Sequence, residues 1–297
     1  MQILQTFFFD HEMEKLKIAI QKAGRLFDKS IELLKDCGIR LPNGTGKLLA
    51  VAEDFPLDIL FLRDDDIPEY VADGVADAGI VGENVVAEKG YNLEIIEHLG
   101  FARCRLSLAM PKNIDYFGTQ YFNGKKIATS YPNILRKYLE DNNIKAEVHE
   151  IHGSVEIAPG IGLADGILDI VSSGSTLISN GLKEVEVVFN SEAVLVANKE
   201  LKQSKISLLE KLAFRIRAVQ KSRNNKYILL NAPDEKVPEI IKIIPGMKSP
   251  TVMPLAEKGW SSVHSVLNEN RFWDVIDKLK ASGAQGILVI PIEKMIL

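Results

Sequence analysis

The sequence predicts an α/β protein of two related lobes followed by a smaller, separately patterned module. Three observations carry this. From Leu16 to Arg223, short apolar runs with strand character alternate with helical segments, the pattern of mostly parallel sheets flanked by helices. The hexapeptide ADGVAD at 72–77 returns as ADGILD at 164–169, each time leading into an apolar strand, which points to two lobes of common design. Beyond residue 223 the order becomes βαββαβ. The 297 residues, 46% of them apolar, suffice for two or three cores.

Taken in order, LKIAIQ (16–21) is a strand, KAGRL a loop, and SIELLKDCG (30–38) a helix closed by Gly38. LLAVAED and LDILFLR are short strands with Pro56 in the turn between them. DDDIPEYVADG follows as a helix with acidic residues at its positive end and Asp66 as the cap before Pro68. AGIVG is the next strand. The second lobe begins near Leu99 with FARCRLSLAMP, and KKIATSYPNILRKYLEDN is a strand feeding a helix. VHEIHGSV precedes a helix opening at Glu156, and Ile167 to Val171 forms the next strand. VEVVFNSEAVLVAN resumes strand character, and ISLLEKLAFRIRAVQKSRN is a connecting helix. The resulting division is a tail at 1–15, lobe one at 16–98 and 182–223, lobe two at 99–181, and the last module at 224–297. In that module YILLNAP, DEKVPEIIKII, TVMPLA, SVHSVL, NRFWDVIDKLKASG and GILVIPI give the split-βαβ order of ferredoxin-like folds. Trp260 and Trp273 suit its core or an interface.

A formal charge of -4 without any block of Lys or Arg argues against nucleic acid or an anionic membrane as partner. No apolar run approaches the roughly 20 residues of a membrane span. Cys37 and Cys104 lack partners at framework or metal-ligand spacing, so a reducing compartment, the cytoplasm, is expected. The opening MQILQTFFFDHEMEK lacks the parts of an export signal and reads as a tail. His149 and His152, three apart, lie in a strand or loop and suit packing better than metal binding.

The richest segment for chemistry is DIVSSGSTL, 169–177. A phosphate monoester is held by backbone N–H groups and short hydroxyls at a helix start. Ser172, Ser173, Ser175 and Thr176 supply hydroxyls, Gly174 allows a tight turn, and Asp169 is placed for ribose hydroxyls or a metal. The same residues also make an ordinary Ser/Gly turn with a hydroxyl cap. The repeat sets Asp77 opposite Asp169, which leaves an architectural role open for the latter. Lys22 and Arg25 in QKAGRL, and Arg63 in LRDDDIP, are cations on loops after strands, suited to phosphates or to plain solvation. Asp65 stands in an acidic run able to meet Mg²⁺ or an amine, or simply to begin a helix. Thr129, Ser130 and Tyr131 end a strand in lobe two and can line the same cleft.

Read back to Glu156, the pattern Glu156, Gly162, Ala164, Ile167, Asp169, Ile170, Ser173, Gly174, Thr176, Leu177 resembles the signature of the ATP phosphoribosyltransferase family. LKIAIQKAGRL, LRDDDIP, ADAGIVGENV, ATSYP and PGMKSPTVMPLA extend the resemblance over nearly the whole chain, and the last module makes it similar to the family's long form. The resemblance implies two periplasmic-binding-protein-like (type II) lobes with phosphoribosyl pyrophosphate and ATP in the cleft and Mg²⁺ on the pyrophosphate. It implies an ACT-like C-terminal domain through which histidine inhibits, AMP as a further ligand, and dimers assembling to hexamers. It assigns Glu156, Asp169, Ser172, Ser173, Gly174, Ser175 and Thr176 to phosphoribosyl pyrophosphate, Lys22 and Arg25 to catalysis, and Arg63, Asp65, Thr129 and Ser130 to ATP or pyrophosphate. Asn231, Met247, Ser249, Thr251 and Gly286 become effector positions. The competing reading is a two-lobed solute-binding protein without catalysis.

Overall fold

The computed structural model of the chain describes residues 14–42 and 48–296, so nearly all of the expected tail lies outside the described residues. Two compact units, Met1–Glu210 and Lys211–Leu297, divide the chain. In the first, β1 (Leu16–Gln21) and α1 (Arg25–Asp36) lead to β2 (Leu49–Val51), β3 (Leu57–Leu62), α2 (Ile67–Ala72), β4 (Ala78–Gly82), α3 (Glu83–Lys89) and β5 (Leu93–His98). Next come β6 (Cys104–Pro111), β7 (Lys126–Thr129), α4 (Pro132–Asp141), β8 (Glu147–Glu150), β9 (Gly166–Val171), α5 (Ser175–Ser179) and β10 (Leu182–Ser191). The chain then runs through β11 (Ala193–Asn198) into α6 (Gln203–Arg223).

These strands form two sheets, ordered β2-β3-β1-β4-β11-β5 and β10-β6-β9-β7-β8. Each has a parallel trio, β3-β1-β4 or β8-β7-β9. On one side of each trio lies an antiparallel strand, β11 or β6, followed by an outer strand, β5 or β10, and the first sheet adds antiparallel β2 on its other side. The antiparallel strand of each sheet is the one the chain makes on arriving from the other sheet. Both lobes therefore share one topology, that of the periplasmic-binding-protein-like type II lobe. Apolar faces close each layer: Ile67 and Val71 of α2 pack with Ala19, Val81 and Val194, and Leu135 and Leu139 of α4 pack with Leu106, Phe122 and Leu168.

Several expectations change. Leu182–Ser191, expected in lobe one, is β10 and pairs with β6 in the second sheet. The chain returns to the first sheet only after Glu192. Helix α1 begins at Arg25, ahead of the expected Ser30, whose hydroxyl donates to Leu26 O at 2.7 Å. Asp66 does not cap α2: Asp64–Asp66 form a 3-10 turn, Asp66 has αR angles, and its side chain takes no cap bond. Glu156 opens no α-helix but sits in the 3-10 turn Val155–Ile157, which ends where Pro159, Gly160 and Gly162 interrupt regular helix.

The repeat holds, but in another register. Asp77 exchanges backbone bonds with Lys17 of β1, its N–H reaching Lys17 O at 2.8 Å and its Oδ2 accepting Lys17 N–H at 2.7 Å. Asp165 does the same with Lys126 of β7, at 2.8 and 2.9 Å. The partner of Asp77 is thus Asp165, and Asp169, four residues on, is free of that architectural duty.

The second unit contains the last turns of α6, then β12 (Asn225–Pro233), α7 (Val237–Ile243), β13 (Thr251–Pro254), β14 (Trp260–Asn268), α8 (Glu269–Ala281) and β15 (Gln285–Pro291). Its sheet is ordered β13-β14-β12-β15 with every neighbour antiparallel, the arrangement expected of a ferredoxin-like module. Ile228, Leu230, Ile240, Val263, Phe272 and Leu279 form its core. The unit starts inside α6 rather than at 224 because the chain's end is tied to that helix: Met295 N–H donates to Ala218 O, and the Ser222 hydroxyl to Glu293 O. Trp273 is 68% exposed, so it is not a core residue. Among the described residues no helix is long and apolar enough to cross a membrane.

The two equivalent aspartates differ in burial, and their substitution separates architecture from charge. Asp77 also takes Lys205 Nζ at 2.7 Å with side chains only 6% and 19% exposed, whereas Asp165 meets Lys125 at 3.5 Å in the open. Asp77→Ala, which strands a largely covered ammonium and removes a buried carboxylate, is expected to cost about 3 kcal/mol, and Asp165→Ala about 1 kcal/mol. Urea unfolding measures both; equal losses would contradict the assignment.

Candidate active site

Parallel strands deliver their following loops to the C-terminal edge of a sheet, where α/β proteins bind ligands. In the first lobe that edge carries Lys22 and Arg25 after β1, and Arg63 to Asp66 after β3. In the second it carries Ser130 and Tyr131 after β7, His152 after β8, and Ser172 to Thr176 after β9. The Lys22 N–H donates to Leu62 O at 2.8 Å, which brings the first loop alongside Arg63. A cavity of about 460 Å³ is lined from both lobes by Asp64, Asp65, Glu88, Ser130, Tyr131 and Arg136.

The loop after β9 has the parts a phosphate needs. Gly174 adopts φ 79°, a left-handed turn that favours glycine. Ser172, Ser173, Ser175 and Thr176 are exposed, and the hydroxyls of Ser173 and Ser175 lie 3.0 Å apart. No side chain caps α5, although the Ser173 hydroxyl oxygen accepts the Ser175 N–H at 3.5 Å within the turn. The base of the loop is pinned: Arg105 grips Glu184 through two bonds of 2.5 and 2.6 Å and reaches Ser172 O at 3.4 Å. That guanidinium also holds the Glu184 carboxyl below its usual range.

Beside the loop stand the two carboxylates singled out from the sequence. Burial pushes the Asp169 carboxyl up from its ordinary 3.8, the Ile170 N–H at 2.7 Å opposes the shift, and the charge of Glu156 adds to it. Val155 and Ala158, on either side of Glu156, pack in one cluster with Ile167 and Val171 of β9, which sets that 3-10 turn beside the strand. On the opposite lobe, burial and the charges of Asp65 and Asp66 raise Asp64. Tyr131 lines the same cavity as Asp64 and Asp65. Burial raises its phenol, a hydrogen bond with Asn84 opposes this, and the carboxylates of Asp65, Asp169 and Asp64 raise it further.

The cations are arranged differently. Lys22, Arg25 and Arg63 are exposed and form no ion pair among the described residues. Arg25, expected on a loop, is the first residue of α1. Thr129 has no surface to offer a ligand: it is fully buried, and its hydroxyl oxygen accepts the Tyr131 N–H at 2.9 Å, shaping the turn after β7. Ser130 is half-buried and donates to Ile151 O at 2.7 Å. Among the described residues no group of three or more His, Cys, Asp or Glu side chains is arranged to hold a metal ion. Two lining residues escape sequence reasoning: Glu88 has the sequence look of an ordinary helix surface charge, and Arg136 that of a solvated one.

In the second unit the five effector positions fall into two groups. Asn231 and Gly286 adjoin where β12 meets β15, a Cβ at Gly286 coming 3.5 Å from Asn231 Nδ2. Met247, Ser249 and Thr251 are exposed along the approach to β13, and β14 lies between β13 and β12.

Comparison with known proteins matches this geometry. The family model described as ATP phosphoribosyltransferase matches residues 63–218, and that described as HisG, C-terminal domain, residues 222–294. An ATP phosphoribosyltransferase of Cytophaga hutchinsonii is 60% identical over 281 residues, 95% of this chain and 98% of the relative. One of Bacteroides fragilis is 60% identical over 282 residues, 95% of this chain and all of the relative. The ATP phosphoribosyl transferase (HisG:HisZ) complex from Thermotoga maritima contains a chain with TM-score 0.58 and 32% identity, covering 68% of this chain and 98% of that one. These matches set aside the reading of a solute-binding protein without catalysis. The chain belongs to the long form of the ATP phosphoribosyltransferase family, glycosyltransferases that join ATP and phosphoribosyl pyrophosphate in the first step of histidine biosynthesis.

Proposed function

We propose that the 5'-phosphate of phosphoribosyl pyrophosphate sits in the loop Ser172, Ser173, Gly174, Ser175, Thr176, with its ribose hydroxyls donating to Glu156 and Asp169. The observation that carries this is a loop of exposed hydroxyls leading into α5, with the half-buried Asp169 near the end of the strand that delivers it. Adenine N1 of ATP attacks the anomeric carbon; the N1–C1' bond forms as the C1'–O bond to pyrophosphate breaks, with inversion. N1 carries a lone pair at neutral pH, so the step needs no strong general base, and positioning with charge stabilisation dominates. Lys22 and Arg25 meet the departing pyrophosphate, which brings Mg²⁺ with it as part of the substrate. That they form no ion pair among the described residues supports that role. Arg63, Asp65, Ser130 and Tyr131 face the ATP side, where AMP also competes; Thr129 acts there only by shaping the turn.

Asp169→Asn tests the assignment with opposite signs in two measurements. A raised carboxyl pKa in the fold favours the neutral form, so the fold is most stable below the ordinary carboxylate range and loses stability as pH rises through the raised value. The variant should therefore raise the Tm of the ligand-free protein at pH 7 by about 2 °C, a gain that vanishes as pH falls to where the wild-type group is protonated. Its turnover should fall about 10- to 100-fold, the loss of one charge-assisted hydrogen bond. A lower Tm with near-normal turnover would return Asp169 to an architectural role.

We assign feedback inhibition by histidine to Asn231, Met247, Ser249, Thr251 and Gly286. These lie in two groups on one sheet, so a second copy of the chain would complete the pocket by bringing the edge of β13 to that of β15, in keeping with homo-oligomers from dimer to hexamer. Asn231→Ala and Thr251→Ala should each weaken histidine inhibition about tenfold, the equivalent of one lost hydrogen bond, with the uninhibited rate near normal. Unchanged inhibition curves in both would sink the assignment.

A further inference from the structure

Helix α3 of the first lobe presents two buried polar side chains to the second lobe. Asn84 and Glu88, 5% and 8% exposed, are four residues apart and share one helical face. Asn84 Nδ2 donates to the Tyr131 hydroxyl at 3.1 Å. Its Oδ1 accepts the Ser191 hydroxyl at 2.8 Å, while its own N–H donates to that same oxygen at 3.0 Å. One turn on, the Glu88 carboxylate accepts the N–H groups of Asn133 and Ile134 at 2.9 and 3.0 Å. These are first-turn amides of α4, which no residue of its own lobe satisfies. Asn133 Nδ2 returns a bond to Glu88 O at 2.9 Å. The sequence makes room for this: a Cβ at Gly82 would stand 2.5 Å from Asn84 Oδ1, so the Gly82-Glu83-Asn84 run allows the asparagine to turn toward Tyr131.

We infer that Asn84, fixed by Ser191, and Glu88 are positioning residues for ATP, holding the turn from Ser130 to Asn133 and the Tyr131 ring at the angle the nucleotide needs. The inference rests on the reading that Tyr131 faces ATP. The two lobes are joined covalently only where the chain crosses between sheets, so without these ties the turn after β7 is placed against Asp64 and Asp65 by its own lobe alone. Asn84 and Glu88 touch neither reacting atom, and their effect falls on nucleotide affinity rather than on the chemical step.

Steady-state kinetics of Asn84→Ala, Asn84→Asp, Tyr131→Phe and the double variant N84A/Y131F test it in the full-length enzyme. Asn84→Ala and Tyr131→Phe should each raise the KM for ATP about tenfold, one lost hydrogen bond. The KM for phosphoribosyl pyrophosphate should stay within about twofold. The double variant should be no worse than either single one. Asn84→Asp should restore the KM for ATP, since a carboxylate accepts the Tyr131 O–H. Glu88→Gln, which keeps the side chain's volume, should shift the same constant and carries the test if Asn84→Ala does not fold. Additive effects in the double variant, equal rises in both KM values, or failure of aspartate to rescue would overturn the inference. Tyr131→Ala separates the levels: an unchanged KM for ATP in that variant removes Tyr131 from the nucleotide site and the inference with it. A raised value alongside additive effects removes the inference alone.

Discussion

The chain crosses between its two sheets twice, and the crossings are bonded to each other. Leu99 N–H donates to Ala193 O at 2.8 Å and Ala193 N–H to Phe101 O at 2.9 Å, with all three side chains buried. Glu192, between the sheets, faces His98 at 3.3 Å and Arg103 at 3.2 Å. Each crossing ends in an antiparallel strand laid against the parallel trio of the other lobe. That arrangement turns the loop-bearing edges of the two trios toward one space, which is how Asp64 and Asp65 come to share a cavity with Ser130 and Tyr131. A single crossing would leave one sheet without its fourth strand and the cleft without a fixed floor.

The charges in that cleft fall into two sets. Carboxylates at Asp64 and Asp169 are partly withdrawn from water and held near like charge, which disfavours their ionised forms. Cations at Lys22, Arg25 and Arg63 lie nearby in the chain's loop order yet neutralise none of them. In the site proposed above, a substrate bearing both hydroxyl donors and phosphates would meet the two sets at once. The partial burial of Asp64 and Asp169 costs the fold some stability at neutral pH.

Much of this was legible in the residues. Alternation of apolar runs predicts nearly every strand, and the turn at 172–176 is legible from Gly174 and its clustered hydroxyls, which suit an anion or an ordinary Ser/Gly turn alike. The repeat was legible but its register was not: ADGVAD and ADGILD match best letter by letter, whereas the backbone aligns Asp77 with Asp165 through the bonds each makes to the first trio strand. Leu182–Ser191 carries no mark of which sheet it joins, since its edge position leaves both faces partly exposed. Asp66 and Glu156 have the composition of helix starts, and local 3-10 turns override it. Asn84 and Glu88 lie beyond sequence reasoning because their partners are 45 or more residues away, on another lobe.

The central claim is that the loop after β9 and the carboxylate pair beside it form one site for a phosphorylated ribose. A crystal structure of the protein with phosphoribosyl pyrophosphate addresses it directly. The account predicts the 5'-phosphate among the N–H groups and hydroxyls of Ser173 to Thr176, with the ribose hydroxyls on Glu156 and Asp169. A 5'-phosphate seated instead against Lys22 and Arg25, with the Ser172 to Thr176 loop untouched, would contradict it.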